Sequence, residues 1–238
     1  SFLSFYQSVD RERTTYEAVD STSPDIDLGE KGLRLEVLGP RLLPHPQTHE
    51  PCLPWLGSGA QTINGHSVVL RLTYDQVSVL LPGDINKAGS RHLLGDPSFR
   101  ERLAAHVLKA PHHGSHEFEP AMLEGVAPQI AVISSGDDVD HGHPRAVFVG
   151  SIARAMRSPT PLVFSTEIAA NFVEVHEPSH QGHDPAHGLA RERHLFKRRL
   201  HGMINIRTDG KQLYAFRRVM AGYAWESYGP LEAVAPDE

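Results

Sequence analysis

The chain has 238 residues, 39% hydrophobic and 22% charged, with a formal net charge of −6. That length buries an ordinary core as one large domain or two small ones. One cysteine, Cys52, excludes an internal disulfide framework and a Cys-rich zinc centre, and leans the compartment towards the cytoplasm. The negative balance does not advertise a nucleic-acid binder, which needs a basic face, and does not exclude a metal-dependent nuclease, because an ion supplies positive charge locally. No apolar run approaches the ~20 residues that cross a bilayer, so no membrane partner is expected. The chain opens on Ser1 with no Met and no basic stretch of a leader, which reads as a cut or processing point.

Residues 1–30 read as a linker or joining element. Leu33 to Leu38 alternates apolar and polar, the period of a half-buried strand, and Gly39-Pro40 ends it. From Pro40 to Asn64 the Pro, Gly and His content predicts a long surface loop, either a lid or an insertion. Ser67–Leu72 and Val77–Leu81 form a predicted hairpin about a Tyr74-Asp75-Gln76 turn, its second strand buried on both faces. Ser98–His106 is a predicted helix and Val107–Ala110 a strand. Pro120–Val126 is a short helix and Gln129–Ser134 a buried strand. Pro144–Arg157 is an amphipathic helix with proline in its first turn, and Pro161–Ser165 a strand. Residues 177–188 are a His-rich loop. A basic helix follows over Leu189–Leu200, then a terminal hairpin over Met203–Arg207 and Gln212–Phe216, with a disordered tail over 230–238. The expected fold class is therefore α/β, a layered sandwich with a mixed sheet and a terminal β-hairpin.

Sixteen histidines is a high number for this length, and many stand beside Gly, Pro or Asp on loops. Three loops carry the chemistry, each following a short apolar strand. In Leu80-Leu81-Pro82-Gly83-Asp84-Ile85 a carboxylate sits just past a strand's carboxyl end, where sheets present ligands. An ordinary turn also favours Asp there. Lys109-Ala110-Pro111-His112-His113-Gly114-Ser115-His116 crowds three histidines and a serine at a strand end. Neutral imidazoles ligate metals, and the Ser115 hydroxyl suits a phosphate oxygen or an orienting hydrogen bond. In Ser134 to Arg145, Asp137, Asp138, Asp140, His141 and His143 lie between a strand and a helix start, whose dipole favours a neutral, ligating His143. Plain polar turns and caps are the bland alternatives. Asp84, His113 and His143 are the expected metal ligands. His112, His113 and Ser115 are the expected catalytic groups, and Asn64, His116, His141 and Arg145 the substrate contacts. A carboxylate with imidazoles suits zinc or manganese, and Asp84 can bridge two ions. His176, His180, His183 and His187 read as a solvated loop, His45 and His49 as loop residues, and Trp225 and Tyr228 as anchors packing the terminal hairpin.

The order Asn64…Ser67–Leu72, Leu80-Leu81-Pro82-Gly83-Asp84-Ile85, Pro111-His112-His113-Gly114-Ser115 and Ser134-Ser135-Gly136…Gly142-His143-Pro144 resembles the ComEC-like branch of the metallo-β-lactamase superfamily, over about Gly32 to Met156. The resemblance implies the C-terminal half of an αββα sandwich, spanning 31–176 with 189–229. It further implies Asp84 as a bridging ligand, His143 as the late histidine of a second metal position, and His112, His113 and Ser115 as an active-site signature. The superfamily's earlier HxHxDH-like motif does not occur in this sequence; His45-Pro46-Gln47-Thr48-His49-Glu50 has another pattern. A partner chain or N-terminal half carrying those ligands is therefore expected, since a half-sandwich alone would expose a large apolar sheet face. The expected function is a metal-dependent phosphodiesterase or nuclease, active with that half. Two alternatives stand beside it: a hydrolase of lactones, thioesters or amides, and a degenerate or split module acting as a scaffold.

Overall fold

The computed structural model describes residues 17–135, 142–158, 160–175, 193–218 and 224–234. Strand β1 (Leu33–Gly39) follows the predicted alternation. The expected long loop is partly ordered: Leu43–Pro44 (β2) pairs with Pro51–Cys52 (β3), and Gly59–Gly65 forms helix α1. Ser58 and Gln61 cap α1 reciprocally, which explains a helix in a Gly-rich stretch. Val69–Tyr74 (β4) and Val77–Leu81 (β5) make the predicted hairpin. Lys87–Leu94 is helix α2, capped by Asn86, and Pro97–Glu101 is helix α3, capped by Asp96. The predicted helix over Ser98–His106 is thus corrected to a single turn that ends before Arg102. The chain beyond it is drawn into the core, with Leu103 and His106 buried.

Val107–Lys109 (β6), the turn Pro111–Gly114, Pro120–Val126 (α4) and Ile130–Ile133 (β7) come next. Helix α5 covers Ala146–Ala155 with Arg145 at its N-cap, so Pro144 precedes the helix rather than opening it. Leu162–Ser165 is β8. The predicted basic helix over 189–200 is overturned for its described part, 193–200: Glu167–Val175 (β9) pairs antiparallel with Arg193–His201 (β10). A partner strand satisfies the backbone there, and tertiary pairing outweighs helix propensity. Ile204–Thr208 (β11) and Gln212–Arg218 (β12) form the terminal hairpin. Trp225–Glu232 (β13) adds a third strand, so Pro230 to Glu232 are not a disordered tail.

The chain is a mixed α/β protein. Its main sheet has six strands in the order β1-β4-β5-β6-β7-β8, antiparallel at the β1 side and parallel from β5 to β8. Period-2 alternation explains why the central strands read as unbroken apolar runs. Leu80, Leu108, Ala131 and Ile133 face the helices, where Leu93, Phe99, Met122, Phe148 and Ile152 complete one core. Val77, Val107, Ile130 and Phe164 face the other way, against Leu213 and Ala215 of the small sheet β11-β12-β13. The apolar face expected to lie bare is therefore covered here by the chain's own C-terminal strands. Tyr228 anchors that cover, its ring 5.0 Å from Phe164. Among the described residues no helix is long and apolar enough to cross a membrane.

His106 is buried just before β6. It is 6% exposed, and its Nδ1 accepts the Ser78 backbone N–H at 3.0 Å. Burial, and then the Arg157 charge, lower its pKa below the ordinary 6.5. An unfolded chain takes up this proton near pH 6.5 and the folded one only at lower pH. The stability held by the neutral ring is therefore complete above about 6.5 and is lost as pH falls towards the lowered value. His106→Gln should flatten the pH dependence of the unfolding free energy as pH falls below about 6.5. An unchanged slope in urea titrations would refute this assignment.

Candidate active site

Strands β5 to β8 run parallel, so their carboxyl ends share one edge, where open sheets bind ligands. The three predicted loops leave from that edge and are tied together. His112 N–H donates to the Gly83 carbonyl at 3.3 Å, and Lys109 Nζ donates to the same oxygen at 2.9 Å. Arg145 N–H donates to Gly114 O at 2.9 Å. Asp84 N–H donates to Ser67 Oγ at 3.1 Å, and that hydroxyl donates to Asn64 O at 2.9 Å. Gly83 has φ +60, and a Cβ there would stand 2.9 Å from Ser67 Cβ, so only glycine brings the Asp84 turn onto its serine.

His112 and His113 both adopt left-handed backbone, with φ 43 and 54. Such conformations cost about 1–3 kcal/mol each and persist only where neighbours hold them. Here the neighbours are visible: Gly83 holds the His112 backbone, and Ser134 holds the His113 ring. The strain aims the His113 ring at Asp84.

His113 Nδ1 is 2.6 Å from Ser134 O. A carbonyl only accepts, so Nδ1 carries a proton, and in a neutral imidazole of this tautomer Nε2 is the ligating atom. That Nε2 lies 3.4 Å from Asp84 Oδ1. Two acceptors so placed repel each other unless a proton or a cation lies between them. Donors bound to one tetrahedral zinc at ~2.0–2.2 Å stand about 3.3–3.5 Å apart, so this pair fits one edge of such a site. A ligating histidine that gives its other N–H to a backbone carbonyl is the usual supporting arrangement. Both side chains are open to solvent, at 42% and 43% exposure. Lys109 Nζ lies 3.5 Å from the same Asp84 oxygen. Burial lowers the Lys109 pKa, and the Asp84 carboxylate opposes that shift.

The remaining expected residues divide. The His112 and His143 rings meet edge to face with centroids 5.7 Å apart, beside the Asp84–His113 pair, as His112 stands 6.5 Å from His113. Ser115 is 4% exposed and its Oγ accepts the Glu117 N–H at 3.2 Å, so it serves the turn rather than an open site. His116 is exposed, its Nε2 3.5 Å from Glu117. Asn64 reaches the site through its backbone oxygen, and Arg145 through its backbone N–H. His141, with Asp137, Asp138 and Asp140, lies outside the described residues, as do His176, His180, His183 and His187. Among the described residues no three His, Cys, Asp or Glu side chains are arranged to hold one ion. The described residues thus offer this pair of donors and no third. Sequence reading gave no role to Lys109, Ser67 or Ser134. Lys109 is a charge in an otherwise apolar strand and was detectable, whereas a backbone carbonyl such as that of Ser134 leaves no sequence signal.

Comparison with family models, with curated proteins and with solved structures finds no match in any of the three.

Proposed function

We propose that the chain is a module of a metal-dependent hydrolase that cleaves phosphodiesters, in the manner of the ComEC-like metallo-β-lactamase branch its motifs resemble. The observation that carries this reading is the His113 Nε2 facing Asp84 Oδ1 at 3.4 Å, with the ring fixed by the Ser134 carbonyl. Asp84 and His113 would hold a zinc or manganese ion. Further ligands would come from His143, or from an N-terminal half or partner carrying an HxHxDH-like motif. A bound divalent ion supplies a water of lowered pKa and charge for the developing phosphate oxyanion. His112 would orient the phosphate or give a proton to the leaving oxygen, and Lys109 would offset the Asp84 charge.

A second reading, a scaffold that has lost its metal, is favoured by the incomplete donor set among the described residues. Elemental analysis after loading with zinc or manganese separates the two. Hydrolysis of single-stranded DNA, RNA and a chromogenic phosphodiester should accompany about one or more equivalents of metal. Asp84→Ala and His113→Ala should each lower both metal content and rate, the rate by roughly a hundredfold. Less than about a tenth of an equivalent, with no hydrolysis in the full assembly, would establish the scaffold. Turnover of lactones, thioesters or amides in place of phosphodiesters would move the substrate class.

A further inference from the structure

The outward face of the small sheet carries side chains that packing does not use. Alternation sends Leu213 and Ala215 of β12 into the core and Tyr214, Phe216 and Arg218 outward. Asn205 lies opposite Phe216, Arg207 opposite Tyr214, and Trp225 opposite Arg218. The Arg207 guanidinium is 5.4 Å from the Phe216 ring centroid, and its Nε donates to Asn205 Oδ1 at 3.2 Å. Tyr214 stacks beside Phe216, with centroids 6.4 Å apart and planes at 18°. Trp225 is not the anchor its sequence context suggested: it is 45% exposed. Asn205, Arg207, Phe216 and Trp225 line an open cavity of about 240 Å³.

That volume lies below the ~300–1,000 Å³ of sites for whole drug-sized ligands, so the cavity suits one flat ring system rather than a complete ligand. Aromatic faces and a guanidinium stack on such rings irrespective of base identity. The Asn205 amide NH₂ remains available for a base edge. Arg207 makes the rim of the cavity positive, and the Glu232 carboxylate on this sheet is held by Gln212 at 2.7 Å towards its other end. A second copy docking face to face would set Arg207 against its own counterpart, because a two-fold contact pairs like with like. Phosphates have the complementary charge.

One end of this small sheet is tied to the strand edge that bears the proposed site. Gly202 N–H donates to Thr166 O at 3.0 Å, and Thr166 Oγ1 accepts the Ser135 N–H at 2.9 Å. Ser135 follows Ser134, whose carbonyl holds His113. We propose that this face binds single-stranded nucleic acid and stacks one base in the cavity lined by Trp225, Phe216 and Arg207. This deepens the phosphodiester reading and rests on it for the polymer class.

The test is binding of an oligothymidylate to the full chain in EDTA, so that its outcome does not depend on hydrolysis. Trp55→Phe leaves Trp225 as the single fluorescent tryptophan, since the chain has two. Quenching of that signal is expected. Trp225→Ala should weaken binding roughly ten- to a hundredfold, with most of the loss restored by Trp225→Phe. Trp225 is exposed, so its replacement leaves the core intact. An abasic oligonucleotide of equal length binding as tightly would overturn the proposal. So would an unaffected Trp225→Ala variant, or a free mononucleotide binding as well as the strand. A wild-type dimer in sedimentation that Trp225→Ala abolishes would make the face a self-interface and would overturn it equally.

Discussion

Gly89→Ala is expected to cost about 3 kcal/mol or more, the upper end of what overpacking does. A solvent-exposed helical glycine replaced by alanine gains up to about 1 kcal/mol of propensity, so the expected sign is reversed here. The reason is the crossing of α1 and α2. A Cβ on Gly89 would lie 2.2 Å from Gly65 O and 2.6 Å from Gly65 Cα. Those are backbone atoms and no rotamer relieves them, so the helices must separate. Separation would also pull on Asn86, whose side chain accepts the Gly89 N–H at 3.0 Å and donates to Gln61 O at 2.8 Å. The C-terminal turn of α1 carries the Asn64 carbonyl that holds Ser67, which in turn holds Asp84. Thermal unfolding should fall by about 6–12 °C at this size, with weaker metal binding alongside. A variant as stable as the parent would mean that the helices do not cross at these glycines.

The second large effect lies at Glu36. It is 1% exposed, with Arg71 at 3.1 Å, Arg34 at 3.3 Å and Arg102 at 4.0 Å. Glu36 and Arg71 are direct cross-strand neighbours of β1 and β4. Arg71→Met keeps the apolar stem and removes the closest positive charge. The carboxylate then faces the more exposed Arg34 and the distant Arg102, and the expected cost is about 3 kcal/mol. Neutralising the stranded charge should recover part of it, so Glu36→Gln with Arg71→Met should be more stable than Arg71→Met alone. Urea titrations of the two singles and the double measure this coupling. Strict additivity would show that the carboxylate is already well solvated.

Much of the frame is legible in residue order. Val77–Leu81, Val107–Lys109, Ile130–Ile133 and Leu162–Ser165 are short apolar runs closed by Pro, Gly or Ser, and each is a strand of the main sheet. The Asp84 and His113 loops follow two of them, so their place at the sheet edge was readable before any contact was known. The misread stretch around Arg193–His201 shows the limit. Lys197, Arg198 and Arg199 form a charged run compatible with either a helix face or a strand, and the decision came from pairing with Glu167–Val175, well upstream. Trp225–Glu232 contains Gly229-Pro230, ordinarily a strand breaker. It is tolerated because β13 is the edge of its sheet, where a missing N–H breaks no ladder.

Sequence alone therefore determined the α/β class, the hairpin of β4 and β5, and the loops that bear Asp84, His112, His113 and His143, because period and punctuation are local properties. Only the tertiary structure decided that His113 turns its Nε2 to Asp84 and that Trp225 faces outward while Tyr228 packs inward. The Ser115 turn, by contrast, is a local bond that a serine two residues before an N–H makes readily. The His113 and Trp225 outcomes depend on a backbone carbonyl and a strand register, set by partners distant in the chain, and neither carries a residue type that announces it.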